Sequence, residues 1–424
     1  MSGQGDMGTV VFAGKQSCLY GMLETGKIMS GSASVGTHVQ IREGATSRRL
    51  LIHVNVGWFF VSHRLALAKA AMQAGYEVHV ACGIESAAEQ LAIERSGVRF
   101  HRLPSTRGSL SMVREILGFV LLCRAMARAR PQVVHAITAK PIFLSGVVRR
   151  LYRVPVFVGA LTGLGHLFTV PERRRLLRRL AVLALRVGLA GPSSSLILQN
   201  QLDCDVMTAA RIVTRAKIVI VPGSGVDLLQ FRVLPEPSGV PLVVLPARML
   251  RDKGVVEFCE AADMIRRRGE PARFALVGGT DTRNPSSLTD TEVRALCAGQ
   301  GVEYWGHRTD MAQVLSEATI VCLPSYREGL PKALIEAGAC GRAIVATDVP
   351  GCNAVVQDNQ TGLLVPARDA NRLSEAILAL LGNAELRARL GRNARRQAED
   401  RFDVLSITKQ TLQVYERLLA TIGR

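Results

Sequence analysis

The feature that most constrains this chain is a rhythm. Short apolar runs of strand length alternate with amphipathic segments of helix length, and the pattern occurs in two successive blocks. Leu50-Leu51-Ile52-His53-Val54 leads into a loop through Asn55, Gly57 and Trp58, then a helical pattern from Ser62 through Ala74, Gly75, and a second run from Glu77 to Ala81. The alternation continues through Val98 to Leu103, a helix around Met112 to Arg128, Val133-Val134-His135, Val156 to Val158 and Leu196 to Leu198. It restarts after the Pro- and Gly-rich stretch from Leu234 to Pro241, with strands at Leu242 to Leu245, Phe274 to Val277, Val302 to Trp305, Ile320 to Leu323 and Ala343 to Thr347. An amphipathic helix over Val404 to Leu419 follows. Apolar runs joined by helices give parallel sheets buried on both faces, so the expectation is an α/β protein with two Rossmann-like, doubly wound domains facing across a cleft. Ligands of such sheets bind at the carboxyl ends of the strands.

Residues 1–47 are rich in Gly and Ser, hold no period for long, and are expected to form a poorly ordered extension without chemistry. The expected domains are 48–234 and 235–402, with 403–424 as a terminal helix. A chain of 424 residues supports two such domains, and 48% hydrophobic residues suffice for their cores.

Lys and Arg number 53 against 35 Asp and Glu, a formal charge of +18 that calls for an anionic partner. Nucleic acid fits poorly: aromatic residues are only 5%, too few to stack bases, and no zinc-finger, RNP-like or basic-zipper pattern occurs. Phosphorylated substrate or acidic lipid remains. Nine scattered cysteines without a C-x-x-C pair point to reduced thiols and a cytoplasmic setting. No apolar run reaches the length of a membrane span, and the N-terminus lacks the charged start and apolar block of a secretory signal.

The densest motif is Pro324-Ser-Tyr-Arg-Glu-Gly-Leu-Pro-Lys-Ala-Leu-Ile-Glu336, in which a strand ends, a polar loop turns and a helix begins near Leu330. Free N–H groups at that helix start make an anion site, and Glu328 and Glu336 can accept hydrogen bonds from sugar hydroxyls. Ala247-Arg-Met-Leu-Arg-Asp-Lys-Gly254 brings Arg248 and Lys253 to the same sheet edge, where a bidentate fork and a point charge together neutralise a diphosphate.

These blocks resemble the retaining glycosyltransferases of the two-Rossmann (GT-B) type, in the "group 1" or GT4 family. The family's E-x7-E signature matches Glu328 and Glu336, and its Arg/Lys phosphate pair matches Arg248 and Lys253. Val221-Pro-Gly-Ser-Gly-Val-Asp227, Leu276-Val-Gly-Gly279, Gly306-His-Arg-Thr-Asp310, Asp348-Val-Pro-Gly-Cys352 and Asn359-Gln-Thr-Gly-Leu-Leu-Val-Pro366 also agree, and the likeness runs from about Arg48 to the C-terminus. The resemblance implies a C-terminal helix that crosses back to the first domain. It implies that Glu336 holds the ribose, Glu328 the transferred sugar, and Arg248, Lys253 and the amides after Gly329 the diphosphate. Ser325, Leu330, Gly278 and Gly306 would complete the donor site, with Tyr304 to Gly306 bordering the base. No cofactor or metal is implied. Front-face displacement of this kind needs charge stabilisation at the leaving diphosphate more than a protein base.

Three loops of the first domain look like a bacterial branch that builds O-antigen, capsule or N-glycan precursors on undecaprenyl diphosphate. They supply His63 and Arg64, with Ser62 expected as a helix cap, then His135, Thr138 and Lys140, then His166 in Gly163-Leu-Gly-His-Leu-Phe168. His135 is a catalytic candidate, although Ile137 replaces the second histidine of the commoner His-x-His, and a packed core histidine is the alternative reading for all three histidines. The implied reaction moves a hexose or N-acetylhexosamine from a UDP-sugar to a lipid-linked sugar, at the cytoplasmic face of the membrane. A UDP-sugar 2-epimerase or a non-catalytic nucleotide-sugar-binding scaffold are the alternatives. The basic, leucine-rich segment Pro171 to Arg186 suits peripheral membrane contact. Asp203-Cys-Asp205, which has the form of a metal-binding D-x-D, is read as a helix cap.

Overall fold

A computed structural model of the protein describes residues 48–104, 111–163, 175–281 and 283–422; residues 1–47, His166 and the start of the basic segment at 171–174 lie outside them. Seven strands form the first sheet: β1 (Arg48–Val56), β2 (Tyr76–Gly83), β3 (Arg99–Leu103), β4 (Val133–Ile137), β5 (Val156–Ala160), β6 (Ser194–Leu198) and β7 (Ile218–Ile220). Their order is β3-β2-β1-β4-β5-β6-β7 with every pair parallel. Inner strands such as Val133–Ile137 and Val156–Ala160 are buried at every residue, which explains why they read as unbroken apolar runs.

Helices cover both faces. On one lie α1 (Gly57–His63), α2 (Leu65–Gln73) and α3 (Ala87–Glu94), sharing a core with Ile52, Val80 and Val158. On the other lie α4 (Met112–Ala129), α5 (Ala139–Leu151), α6 (Arg175–Leu189) and α7 (Gln201–Ala209), built around Leu51, Val134 and Phe157.

The second sheet has β8 (Leu242–Pro246), β9 (Arg273–Val277), β10 (Glu303–Gly306), β11 (Ile320–Leu323), β12 (Ala343–Thr347) and β13 (Leu363–Val365), in the order β10-β9-β8-β11-β12-β13 and again all parallel. Helices α8 (Val255–Arg267), α9 (Asp290–Gln300) and α13 (Ala370–Leu381) pack on one face. Helices α10 (Met311–Glu317), α11 (Lys332–Ala339) and α12 (Cys352–Val355) pack on the other, and α14 (Ala384–Arg401) reaches both cores. The closing helix, α15 (Val404–Ala420), leaves this sheet and lays Ile407, Val414, Tyr415 and Leu418 into the first sheet's core.

In both sheets the strand order reverses between the first strand and the fourth: β1 and β4 in one, β8 and β11 in the other. Connections leave these neighbours in opposite directions, opening a crevice at their carboxyl ends. This relation positions the site.

Two local expectations are corrected. Ser62 caps nothing: α1 starts at Gly57 directly from β1, and the Ser62 hydroxyl donates to the Trp58 carbonyl within the helix, 2.7 Å away. Asp203 is not the cap of α7 either. Asn200, in extended backbone, accepts from the Asp203 N–H at 2.8 Å, so Asp203 occupies the first helical turn, where a carboxylate complements the dipole.

Candidate active site

The switch point of the second sheet is built by two loops, Ala247–Gly254 after β8 and Pro324–Pro331 after β11. They are fastened together. The Tyr326 N–H donates to the Asp252 carbonyl at 2.9 Å, and Lys253 Nζ lies 2.6 Å from Glu328 Oε1. The Ser325 hydroxyl, fully buried, donates to the same oxygen at 2.7 Å, and Thr347 Oγ1 holds the Ser325 carbonyl from β12. The approach depends on Gly254. Its φ is +71°, and a Cβ there would stand 2.2 Å from the Pro324 carbonyl oxygen. Only glycine combines a left-handed backbone with that contact.

Lys253 and Glu328 side chains keep 17% and 12% of their exposure, so the pair is mostly withdrawn from water but open on one side. Withdrawal strengthens the attraction while charging a desolvation penalty, which a bound anion on the lysine and a hydroxyl on the carboxylate would relieve.

Arg248 stands at the same edge, but its partner is Asp281 after β9, at 2.7 Å. Gly278 and Gly306 meet where β9 and β10 end, the Gly278 N–H donating to the Gly306 carbonyl at 2.8 Å. Glu336 lies one turn inside α11, nearly buried, with Oε1 2.9 Å from Lys332 Nζ. Burial pushes its pKa up, and Lys332 opposes that shift. Pro331 occupies the cap position of α11, so its missing N–H removes nothing from the helix. The Leu330 side chain packs into the second core beside Gly223.

Opposite, the switch point of the first sheet carries Asn55 at the end of β1 and Thr138 after β4, joined by a 2.8 Å bond from Asn55 Nδ2 to Thr138 Oγ1. Lys140 is paired with Glu115 of α4 at 2.6 Å. His63 ends α1, its ring stacked on Phe59 at 4.5 Å. Burial first, then Lys332 and Arg64, lower its pKa to about 3, so His63 is neutral and feels the charge at the start of α11 from the other domain. The two halves touch here: a Cβ on Gly329 would lie 2.3 Å from the Thr162 carbonyl oxygen, beyond β5.

Arg64 is buried without a carboxylate partner among the described residues. Its Nε has no partner, and its hydrogen bond is a long one, 3.5 Å from Nη1 to the His63 carbonyl. Burial lowers its pKa to about 10. His135 is not brought to the Lys253–Glu328 pair. It is buried in β4 with Nδ1 2.5 Å from the Tyr415 hydroxyl of α15, and Nε2 lacks a partner. Burial, then Arg64, holds its pKa well below the usual histidine value.

Two family models match the chain. The family described as "Glycosyl transferases group 1" matches residues 240–383, and "Glycosyl transferase 4-like" matches residues 49–200. The chain belongs to the group 1 glycosyltransferases of the GT4 family.

The N,N'-diacetylbacillosaminyl-diphospho-undecaprenol alpha-1,3-N-acetylgalactosaminyltransferase of Campylobacter jejuni is 38% identical over 182 residues, 43% of this chain and 46% of that protein. The chain thus spans about half the length of that relative. The UDP-Gal:alpha-D-GlcNAc-diphosphoundecaprenol alpha-1,3-galactosyltransferase of Escherichia coli is 22% identical over 334 residues, 75% of this chain and 84% of that protein. The Anabaena protein HepE, solved with UDP and glucose, superposes with a TM-score of 0.70 at 18% identity, over 87% of this chain and 99% of that one. The architecture is GT-B.

Several residues that shape this GT4 site were not singled out from sequence. Lys332 could have been found, since it precedes Glu336 by one helical turn. Asp281, 33 residues from Arg248 in a polar loop, gave no signal.

Proposed function

We propose that the protein is a retaining glycosyltransferase that moves a hexose or N-acetylhexosamine from a UDP-sugar to an undecaprenyl-diphosphate-linked sugar during bacterial surface polysaccharide assembly, at the cytoplasmic face of the membrane. The observation that carries this reading is the Lys253–Glu328 pair at the second switch point. A lysine and a carboxylate held together there match the two needs of a sugar diphosphate, cationic for its phosphates and accepting for its hydroxyls.

On donor binding, Lys253 exchanges Glu328 for a phosphate oxygen, and the released carboxylate takes a hydroxyl of the transferred sugar. Arg248 contributes a second positive charge to the leaving diphosphate, and Glu336 holds the ribose. Positive charge fixed where negative charge develops stabilises the departing UDP without a metal, and an oxygen of the leaving diphosphate takes the proton of the acceptor hydroxyl in place of a dedicated base. His63 feels the charge of Lys332 at the start of α11, and Arg64, which has no carboxylate partner among the described residues, suits an anionic acceptor. Both relatives above carry diphosphate-linked acceptors in their names, which supports the same class here.

Calorimetric titration of UDP into the full chain tests the donor half. Saturable binding that weakens in Lys253→Met is expected; no binding of UDP by folded protein would overturn the reading.

A further inference from the structure

The two halves of the chain meet at more than the Gly329–Thr162 contact. Glu85, just beyond β2, forms an ion pair with Nη1 of Arg283, in the loop that follows β9. Glu85 and Thr162 follow strands on opposite sides of the first switch point, since β2 flanks β1 and β5 flanks β4. The two contacts therefore brace the domains on opposite sides of the crevice between β1 and β4.

Both ends of the pair sit on fastened backbone. Glu85 directly precedes Ser86, the cap of α3, whose hydroxyl accepts from the Glu89 N–H at 3.2 Å. The Glu85 N–H donates to Glu89 Oε2, also at 3.2 Å. Around Arg283, the Asn284 N–H donates to the Asp281 carbonyl at 2.8 Å, and the Asp281 N–H donates to the Ser287 hydroxyl oxygen at 2.8 Å. This turn is stitched to the loop Ala247–Gly254 by backbone bonds. The Met249 N–H donates to the Gly279 carbonyl at 3.0 Å, the Arg251 N–H to the Ser286 carbonyl at 2.8 Å, and the Leu288 N–H to the Met249 carbonyl at 2.9 Å. Asp281 in the same turn holds Arg248. Arg283 is therefore tied through short hydrogen bonds to the loop that carries Arg248 and Lys253.

The Glu85 side chain keeps 16% of its exposure and that of Arg283 49%. A pair this open adds little to stability, but a charge pair between two surfaces fixes their register. We propose that Glu85 and Arg283 are positioning residues for sugar transfer. Their pair sets the register of the two domains across the cleft, so that the loop carrying Arg248 and Lys253 faces the acceptor side of the first domain at reacting distance. The inference rests on the reading of those two cations as the donor's phosphate partners. Both residues act through the loops they hold. A small misplacement of the reacting groups slows transfer strongly, whereas UDP, held by the second domain, binds equally well with or without the pair.

Charge exchange on the full chain tests it. Glu85→Arg and, separately, Arg283→Glu set like charges against each other, and each should lower kcat by roughly tenfold or more. The two substitutions together restore the attraction with its sign reversed, and should return kcat to within roughly threefold of the wild type. Calorimetry should give the same UDP affinity for all four proteins. Small-angle X-ray scattering of the UDP-bound chain supplies a second readout: the radius of gyration should rise in each single variant and fall back in the double one. Wild-type kcat and radius of gyration in the single variants would overturn the proposal, as would a double variant no better than the singles. Loss of UDP affinity in the single variants would overturn it too, by making the pair part of the donor site. Transfer from no UDP-sugar by the wild type would count against the proposed function, and the scattering series then decides the pair by itself.

Discussion

Lys253 Nζ and Glu328 Oε1, from loops 75 residues apart in sequence, stand 2.6 Å from each other at the switch point of the second sheet. If the lysine serves the leaving diphosphate, Lys253→Met lowers kcat by about a hundred- to a thousandfold, the usual effect of removing one preorganised charge partner. Glu336→Ala instead raises the donor KM by roughly ten- to a hundredfold, the size of a lost hydrogen bond to a charged group. Steady-state kinetics with a saturating acceptor separate the two. An unchanged kcat in Lys253→Met would remove the lysine from the chemistry.

The contact between these loops rests on Gly254. Gly254→Ala forces a methyl against the Pro324 carbonyl, whereas Gly269→Ala, at a similar φ of +77°, meets nothing within 4 Å. The second change should cost about 1 kcal/mol of stability, from backbone preference. The first should cost clearly more and lower UDP affinity. Urea denaturation compares them, and equal losses would contradict the packing argument.

Arg64 is a buried cation without a counterion among the described residues, and such a group destabilises the ligand-free fold. Arg64→Met should stabilise the free protein by about 1–4 kcal/mol while lowering transfer at least tenfold. Thermal unfolding and turnover measured on one preparation give both signs. A variant that is both less stable and fully active would show that Arg64 is a packing residue.

Most strands of this architecture were legible because their apolar runs were long enough to mark burial on both faces. The exceptions are physical. Strands β7 and β13 are edge strands of three residues that keep partly exposed side chains, so neither carries the fully buried run of an inner strand. Helix α1 begins at Gly57 with no side-chain cap, so a polar residue that looked like a cap, Ser62, misled. In the site, residue types and loops could be read, but partners could not. Arg248 and Lys253 share a loop, yet one is held by Asp281 and the other by Glu328. His135 read as a strand-end histidine near the cleft, but it lies within β4, and its Nδ1 partner is Tyr415, 280 residues away on the closing helix α15. Such pairings follow from the crossing of chain segments, which periodicity does not encode.

His53 is buried in β1 with Nδ1 2.7 Å from the Ser145 hydroxyl, and burial, then Lys140, lowers its pKa to about 3. The unfolded chain takes up the proton near the ordinary value of about 6.5, the folded chain only near 3. The histidine's contribution is therefore fully present above the unfolded value and is lost as pH falls toward the folded one. Between about pH 7 and pH 5 this amounts to about 2 kcal/mol. His53→Gln should flatten the pH dependence of stability by that amount. Parallel curves for wild type and variant would mean that His53 titrates normally in the fold.

The most direct test of the central claim is release of UDP from a panel of UDP-sugars, with and without undecaprenyl-diphosphate-linked sugars in detergent. The account predicts release from one donor that depends on the lipid-linked acceptor and disappears in Lys253→Met. UDP release from no donor under any acceptor, by protein that still binds UDP, would contradict it.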